Sequence, residues 1–168
     1  MCGVLKSLKI VVSCAVLAIP LSAEADDPDF LTVAVGAYDL VQDHDQALEF
    51  RAEYRSDKKI WIVKPFIGLM GTTDSAVYGY GGILTDLFFG KRWVLTPSLA
   101  VGYYDKGDGL DLGLEVEFRS SIELSYRFDN RARIGISFYH LSNASMGDIH
   151  PGTEVLSLVY SIPLGPDN

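Results

Sequence analysis

The chain has 168 residues, enough for one domain, and carries a formal net charge of −8. An acidic chain with no basic patch argues against a nucleic-acid partner. Although 48% of the residues are hydrophobic, no apolar run beyond the first thirty residues is long enough for a membrane-spanning helix.

The first segment of the chain has the composition of an export signal. Two lysines precede an apolar run at residues 10–19, and a small-x-small cleavage site follows at residues 23–25. This pattern predicts a secretory signal peptide over residues 1–25 and one mature domain over residues 26–168. The alternative is an N-terminal membrane anchor, although the run is short for a bilayer. Both cysteines, Cys2 and Cys14, lie in this segment, so the mature domain is expected to hold no disulfide.

The rest of the chain alternates between apolar and polar residues. Leu48, Phe50, Ala52 and Tyr54, for example, interleave with Glu49, Arg51, Glu53 and Arg55. A period of two predicts β-strands with one apolar and one polar face. Eight such segments occur, over about residues 30–40, 47–56, 59–71, 76–89, 92–104, 112–128, 131–142 and 153–164.

The length and spacing of these segments favour an all-β fold, an eight-stranded antiparallel transmembrane β-barrel. Most segments reach the ten or so residues that a tilted spanning strand needs. Short turns at residues 57–58, 90–91 and 129–130 alternate with longer connections, as in outer-membrane barrels. The alternative is a soluble sheet whose charged face is exposed to solvent.

Charged residues on the polar faces are expected to pair inside the barrel, because an unpaired buried charge is costly. Residues 49, 51, 53 and 55 would pair there with Glu115, Glu117, Arg119 and Glu123. Aromatic residues are expected in two girdles at the membrane interfaces. The short-turn girdle would hold Trp61, Trp93 and Phe128, and the long-loop girdle Tyr38, Tyr103, Tyr104 and Tyr139.

Three residue types suited to acyl transfer cluster near the end of the chain. His140 and Ser142 lie at the end of the seventh segment, and Glu154 opens the eighth. Period-two alternation puts all three on the apolar faces of two adjacent strands, with Glu154 within cross-strand reach of His140.

This combination predicts a serine hydrolase acting on a lipid. His140 could act as a general base near neutral pH, since a serine needs a base to become a good nucleophile. Glu154 could hold the imidazole in one tautomer. Asn143, or a backbone N–H around Ala144, could stabilise the oxyanion. The alternative is that Ser142 only opens a loop and Glu154 is a strand-end charge.

The motif His-x-Ser-Asn-Ala at residues 140–144, followed by Pro-Gly-x-Glu at residues 151–154, resembles the active-site signature of the lipid A 3-O-deacylases of the PagL type. The resemblance implies an eight-stranded outer-membrane barrel with His140 as base, Ser142 as nucleophile and Glu154 as orienting acid. Asn143 would help to form the oxyanion hole. Where the family usually has Asn-Pro-Gly, this chain has His150 before Pro151, and a histidine N–H could replace the missing amide.

The resemblance also implies the substrate, the ester-linked hydroxyacyl chain at the 3-position of lipid A in the bacterial outer membrane. No cofactor and no metal ion is expected. Acidic residues in the longer connections are expected to be solvated rather than to bind cations; they are Asp43, Asp45, Asp105, Asp108 and Asp111. A homodimer is compatible with this interpretation. Two alternatives are a non-enzymatic small barrel with a structural or adhesive role, and a soluble periplasmic lipid-binding protein.

Overall fold

The computed structural model describes residues 27–41, 46–147, 149 and 151–165. The predicted signal peptide, Asp43, Asp45 and His150 lie outside these described residues. Within the described part of the chain, no helix is long and apolar enough to cross a bilayer.

The described residues form nine antiparallel strands in a single sheet. The strands are β1 (Asp29–Tyr38), β2 (Ala47–Arg55), β3 (Lys64–Thr72), β4 (Val77–Leu84), β5 (Leu87–Phe89), β6 (Trp93–Asp105), β7 (Val116–Arg127), β8 (Arg133–Ser142) and β9 (Thr153–Leu164). The first and last strands pair with each other, and β4 pairs with β6. The sheet therefore closes into a barrel without a free edge.

Strands β4 and β5 together act as one strand of the barrel. Both pair with β6: β4 lies opposite residues 98–105 and β5 opposite residues 93–95. The predicted eight-stranded antiparallel barrel is therefore confirmed. Asp29 lies opposite Leu164, so both ends of the described barrel reach the rim that carries the shorter connections.

The polar faces of the strands point into the barrel, and the apolar faces point outward. On β2, Glu49 and Glu53 are fully buried, whereas Leu48 and Phe50 are more than half exposed. This arrangement is the reverse of a soluble sandwich, in which apolar faces form the core. It matches a membrane barrel, whose outer surface contacts lipid.

The middle of the barrel interior holds a network of buried charges. The Glu53 carboxylate accepts hydrogen bonds from Arg55 at 2.7 Å and from the Tyr80 hydroxyl at 2.7 Å. The oxygen that accepts from Tyr80 also lies 3.3 Å from Arg119, and Arg55 also bonds Glu123 at 2.8 Å. These contacts confirm charge pairing inside the barrel.

Two of the predicted lumen carboxylates do not join this network. Glu115 is exposed in the connection before β7, so its predicted place in the lumen is wrong; the strand begins one residue later. Glu117 is fully buried, but neither of its carboxylate oxygens has a hydrogen-bond partner among the described residues.

A second charge cluster fills the end of the lumen that carries the shorter connections. Arg133 bonds Asp27 at 2.8 Å and Asp86 at 3.1 Å. Lys64 lies 3.0 Å from the same Asp86 carboxylate, which also accepts a hydrogen bond from Thr96. Asp86 sits in the gap between β4 and β5, so the interruption of that strand brings a carboxylate to two buried cations.

Tyrosines fill the opposite end of the lumen. The buried rings are Tyr38, Tyr78, Tyr104 and Tyr139, and the hydroxyls of the first and third lie 3.0 Å apart. The predicted long-loop girdle is therefore wrong for three of its four members, because only Tyr103 faces outward. At the other rim Trp61, Trp93 and Phe128 are exposed as predicted.

The connection between β2 and β3 is longer than the tight turn predicted at residues 57–58. Strand β3 begins at Lys64, and residues 60 and 63 form a separate bridge around Trp61, which has a φ of 62°. Lys64 is the first residue of the strand to enter the lumen, where its ammonium group meets Asp86.

Candidate active site

The three predicted triad residues lie together on the outward face, at the long-loop end of β8 and β9. His140 is directly opposite Glu154 in the register of these strands. Ser142 is two residues beyond His140 and lies opposite Phe118 of β7. Below them the outward side chains are apolar, including Phe138 and Leu156.

The histidine and the glutamate are already joined. His140 Nδ1 lies 3.0 Å from Glu154 Oε1. The imidazole side chain is 42% exposed and the carboxylate 20% exposed, so the pair lies at the surface of the barrel. A hydrogen bond to Nδ1 fixes the ring orientation and leaves Nε2 available to accept a proton.

Gly152 lies against the far edge of the same imidazole ring. A Cβ atom at position 152 would be 2.7 Å from His140 Cε1 and 3.2 Å from Nε2. The glycine also has a φ of 62°, a backbone conformation that residues other than glycine rarely adopt. The absence of a side chain at position 152 therefore leaves room for the ring edge that carries Cε1 and Nε2.

Ser142 shares its strand face with His140, and residues two apart on a strand are about 7 Å apart at Cα. Among the described residues, no hydrogen bond joins Ser142 to the imidazole. Catalytic hydrogen bonds in ligand-free enzymes are often long and tighten when substrate binds. The geometry therefore supplies an oriented imidazole with a hydroxyl beside it.

The Asn143 side chain anchors two loops to each other. Its Nδ2 group donates to the carbonyl oxygens of Leu112 and Ile149, both at 2.8 Å. Its Oδ1 accepts a hydrogen bond from the Ser145 N–H at 3.0 Å, and the residue is fully buried. Both amide protons are therefore used within the fold, and the role of Asn143 at the oxyanion stays a prediction.

A tight turn follows Ser142. Ala144 and Ser145 have φ angles of 52° and 61°, and the Met146 N–H bonds the Asn143 carbonyl at 3.1 Å. The N–H of Ala144 has no hydrogen-bond acceptor among the described residues. This backbone donor lies two residues from the serine, so it is suited to an oxyanion.

A groove of about 630 Å³ lies on the β6 side of the site. Its apolar wall includes Tyr103, Leu114 and Val116, and Val116 is two residues from the strand partner of Ser142. On its rim, Lys106 bonds Asp111 at 2.8 Å. The pKa of the Asp111 carboxyl lies below its usual value because Lys106 and the Gly113 N–H donate to it.

Sequence reasoning did not single out Ser120. The structure places it on β7 directly opposite His140, exposed on the outward face. The available signal was its position in the alternation, between Phe118 and Ile122 on an otherwise apolar stripe. The predictions for His150, Asp43 and Asp45 stay predictions, because these residues lie outside the described part of the chain.

Comparison with known proteins assigns a family. The family model of the lipid A 3-O-deacylase (PagL) matches residues 45–163. The crystal structure of the outer membrane enzyme PagL is similar, with a TM-score of 0.61 and 21% identity, over 80% of this chain and 99% of that chain. A de novo designed transmembrane β-barrel has a TM-score of 0.58 and 8% identity, over 83% of this chain and 98% of the other.

No curated protein sequence matches the chain. The match to the family model nevertheless covers more than half of the 168 residues, and the solved structures show the same barrel fold. The protein is thus an outer-membrane β-barrel and an ester hydrolase, and it belongs to the lipid A 3-O-deacylase (PagL) family.

Proposed function

We propose that the protein removes the ester-linked 3-O-acyl chain of lipid A by a serine mechanism, with Ser142 as nucleophile, His140 as base and Glu154 as orienting acid. The observation that carries this proposal is the 3.0 Å contact between His140 Nδ1 and Glu154 Oε1 on the outward face of the barrel. Lipid A fills the outer leaflet. A site at the long-loop end of the outward face can therefore bind its acyl chains while the lipid stays in the membrane.

The chemistry proceeds in two steps. His140 Nε2 takes the proton of the Ser142 hydroxyl as Oγ attacks the ester carbonyl carbon. The tetrahedral intermediate then releases the sugar 3-oxygen, which takes the proton back from the imidazolium. Water attacks the acyl-serine with the same base, releasing the hydroxy fatty acid and restoring the serine.

Two further groups support the reaction. Glu154 stabilises the imidazolium that forms when His140 accepts the proton. The N–H of Ala144 stabilises the oxyanion, because a fixed donor aimed at developing charge lowers the barrier. The Ser142–His140 hydrogen bond forms when the substrate displaces lipid and solvent from the site.

The test is release of 3-hydroxy fatty acid from purified lipopolysaccharide, measured by mass spectrometry on refolded variants. Ser142→Ala and His140→Ala should each abolish release, and the double variant should be little worse than either single, because the residues act as a unit. Glu154→Ala should retain some activity, since an orienting carboxylate contributes less than the nucleophile.

The matched control is Tyr160→Phe, which removes a hydroxyl from the same face of β9, far from the site. It should leave the rate unchanged. The shift between boiled and unboiled samples on a gel verifies that each variant is folded. Full activity of Ser142→Ala would disprove the serine mechanism, and inactivity of the folded wild-type protein would favour a non-enzymatic barrel.

A further inference from the structure

The outward faces of β7, β8 and β9 carry a polar row across an apolar surface. Glu154 of β9 lies opposite His140 of β8, and His140 lies opposite Ser120 of β7. The row therefore continues past the histidine, on the side away from the glutamate. Ser142 stands one step above it, toward the loops.

This row contains nearly all the polarity of the surface. Apart from Ser142, every other outward side chain on these three strands is aliphatic or aromatic, as the neighbours Phe118, Ile122 and Phe138 illustrate. Ser120 is exposed, and its hydroxyl has no hydrogen-bond partner among the described residues. Because an unpartnered hydroxyl facing hydrocarbon is unfavourable, its position indicates a polar group on the substrate.

We infer that Ser120 is a specificity-determining residue that hydrogen-bonds the β-hydroxyl of the hydroxyacyl chain held for cleavage. The inference rests on the proposed function, because it takes Ser142 as the residue that binds the carbonyl carbon. The acyl chain then runs from Ser142 toward the centre of the bilayer and passes Ser120 first.

The spacing fits this path. Ser142 pairs with Phe118, so Ser120 is its diagonal neighbour on the adjacent strand, at about 7–8 Å. Three segments cover this diagonal distance. The first is the bond from Ser142 Oγ to the carbonyl carbon, and the second is the three bonds from that carbon to the β-hydroxyl oxygen. The third is a hydrogen bond of about 2.8 Å from that oxygen to Ser120. A plain acyl chain offers no partner at this position.

The orientation of the imidazole separates Ser120 from proton transfer. His140 Nδ1 contacts Glu154, and Nε2 lies beside Gly152. Glu154 of β9 and Gly152 of the loop before it thus adjoin the two ring nitrogens, whereas Ser120 lies beside the histidine on β7. Its role is therefore contact with the substrate rather than activation of the nucleophile.

The test compares two synthetic N-acylglucosamine 3-esters in detergent micelles, one with a 3-hydroxytetradecanoyl chain and one with a tetradecanoyl chain. In Ser120→Ala, kcat/KM for the hydroxylated ester should fall roughly three- to tenfold, the effect of one neutral hydrogen bond. The ratio between the two esters should fall by the same factor. Ser120→Thr keeps a hydroxyl and should restore the ratio.

Tyr126→Phe is the matched control, because it removes an outward hydroxyl from the same strand at the opposite rim; it should leave the ratio unchanged. An unchanged ratio in Ser120→Ala would overturn the inference, as would an equal loss on both esters, which would indicate a general structural role. Loss of all activity in Ser120→Ala with full activity in Ser142→Ala would instead overturn the proposed mechanism and make Ser120 the nucleophile.

Discussion

Gly152 and the imidazole ring of His140 occupy adjoining space, and a Cβ at position 152 would stand 2.7 Å from the ring. In the proposed mechanism the glycine affects catalysis through the space it leaves for the imidazole, without contributing a functional group. It leaves room for the ring edge that carries Cε1 and Nε2, while Nδ1 contacts Glu154.

Gly152→Ala should therefore lower kcat/KM for lipopolysaccharide by about a hundredfold, because displacing a catalytic group by 1 Å can cost that much. The control is Gly90→Ala. Gly90 has a similar φ of 66°, but no atom lies within 4 Å of its Cβ position, so it has the same backbone strain without the clash. Equal losses of activity in the two variants would contradict this explanation.

Asn143→Asp should disconnect the two loops beside the site. A carboxylate cannot donate to the carbonyl oxygens of Leu112 and Ile149. The buried Leu112 acceptor then loses its partner at about 1–3 kcal/mol, and the part-buried Ile149 acceptor loses its partner at a smaller cost. We expect faster hydrogen exchange in the β6–β7 connection and at least tenfold slower fatty-acid release.

The matched control for that substitution is Asn130→Asp in the β7–β8 turn. There the side-chain oxygen accepts from the Ala132 N–H, and a carboxylate retains this bond. Unaltered exchange in Asn143→Asp would show that the amide is not the anchor.

Replacement of glutamate by glutamine should lower the free energy of unfolding by different amounts at two positions in the lumen. Glu53→Gln removes the charge that Arg51, Arg55 and Arg119 surround, and breaking such a buried pair costs roughly 3–5 kcal/mol. Glu117→Gln removes no hydrogen bond and should change the free energy of unfolding by less than about 1 kcal/mol. Urea unfolding in lipid vesicles measures both; similar losses would argue against the assigned network.

The loss of stability caused by a lysine on the outer face should depend on how deep in the membrane the lysine lies. Ile122 lies in the middle of β7 and Val116 at its end. Ile122→Lys should destabilise the barrel by about 2–4 kcal/mol, and Val116→Lys by about 0–1 kcal/mol. The same vesicle unfolding experiment compares them, and a reversed order would contradict the assigned membrane position.

Alternation in the sequence predicted the fold because each strand obeys one rule over its whole length, namely that successive side chains face opposite sides of the sheet. The faces of His140, Ser142 and Glu154 followed from that rule, as did the burial of Glu49 and Glu53. The error in the tyrosine girdle came from setting the rule aside. Tyr103 and Tyr104 are adjacent, so only one of them can face outward.

Loops obey no such rule, and there the sequence was least informative. Nothing in the spacing of Asn143 indicates that its amide reaches Leu112, thirty-one residues away. Ser120 was missed although it interrupts an apolar stripe, because its register opposite His140 does not follow from its own alternation.

The tyrosines and charge clusters that fill the lumen have a consequence for the permeability of the cell. Because side chains occupy the barrel from one rim to the other, solutes have no route along its axis. A membrane rich in this protein should show no added ion conductance and no greater uptake of hydrophilic antibiotics. Under the proposed function, substrate and product therefore exchange sideways, in the plane of the outer leaflet.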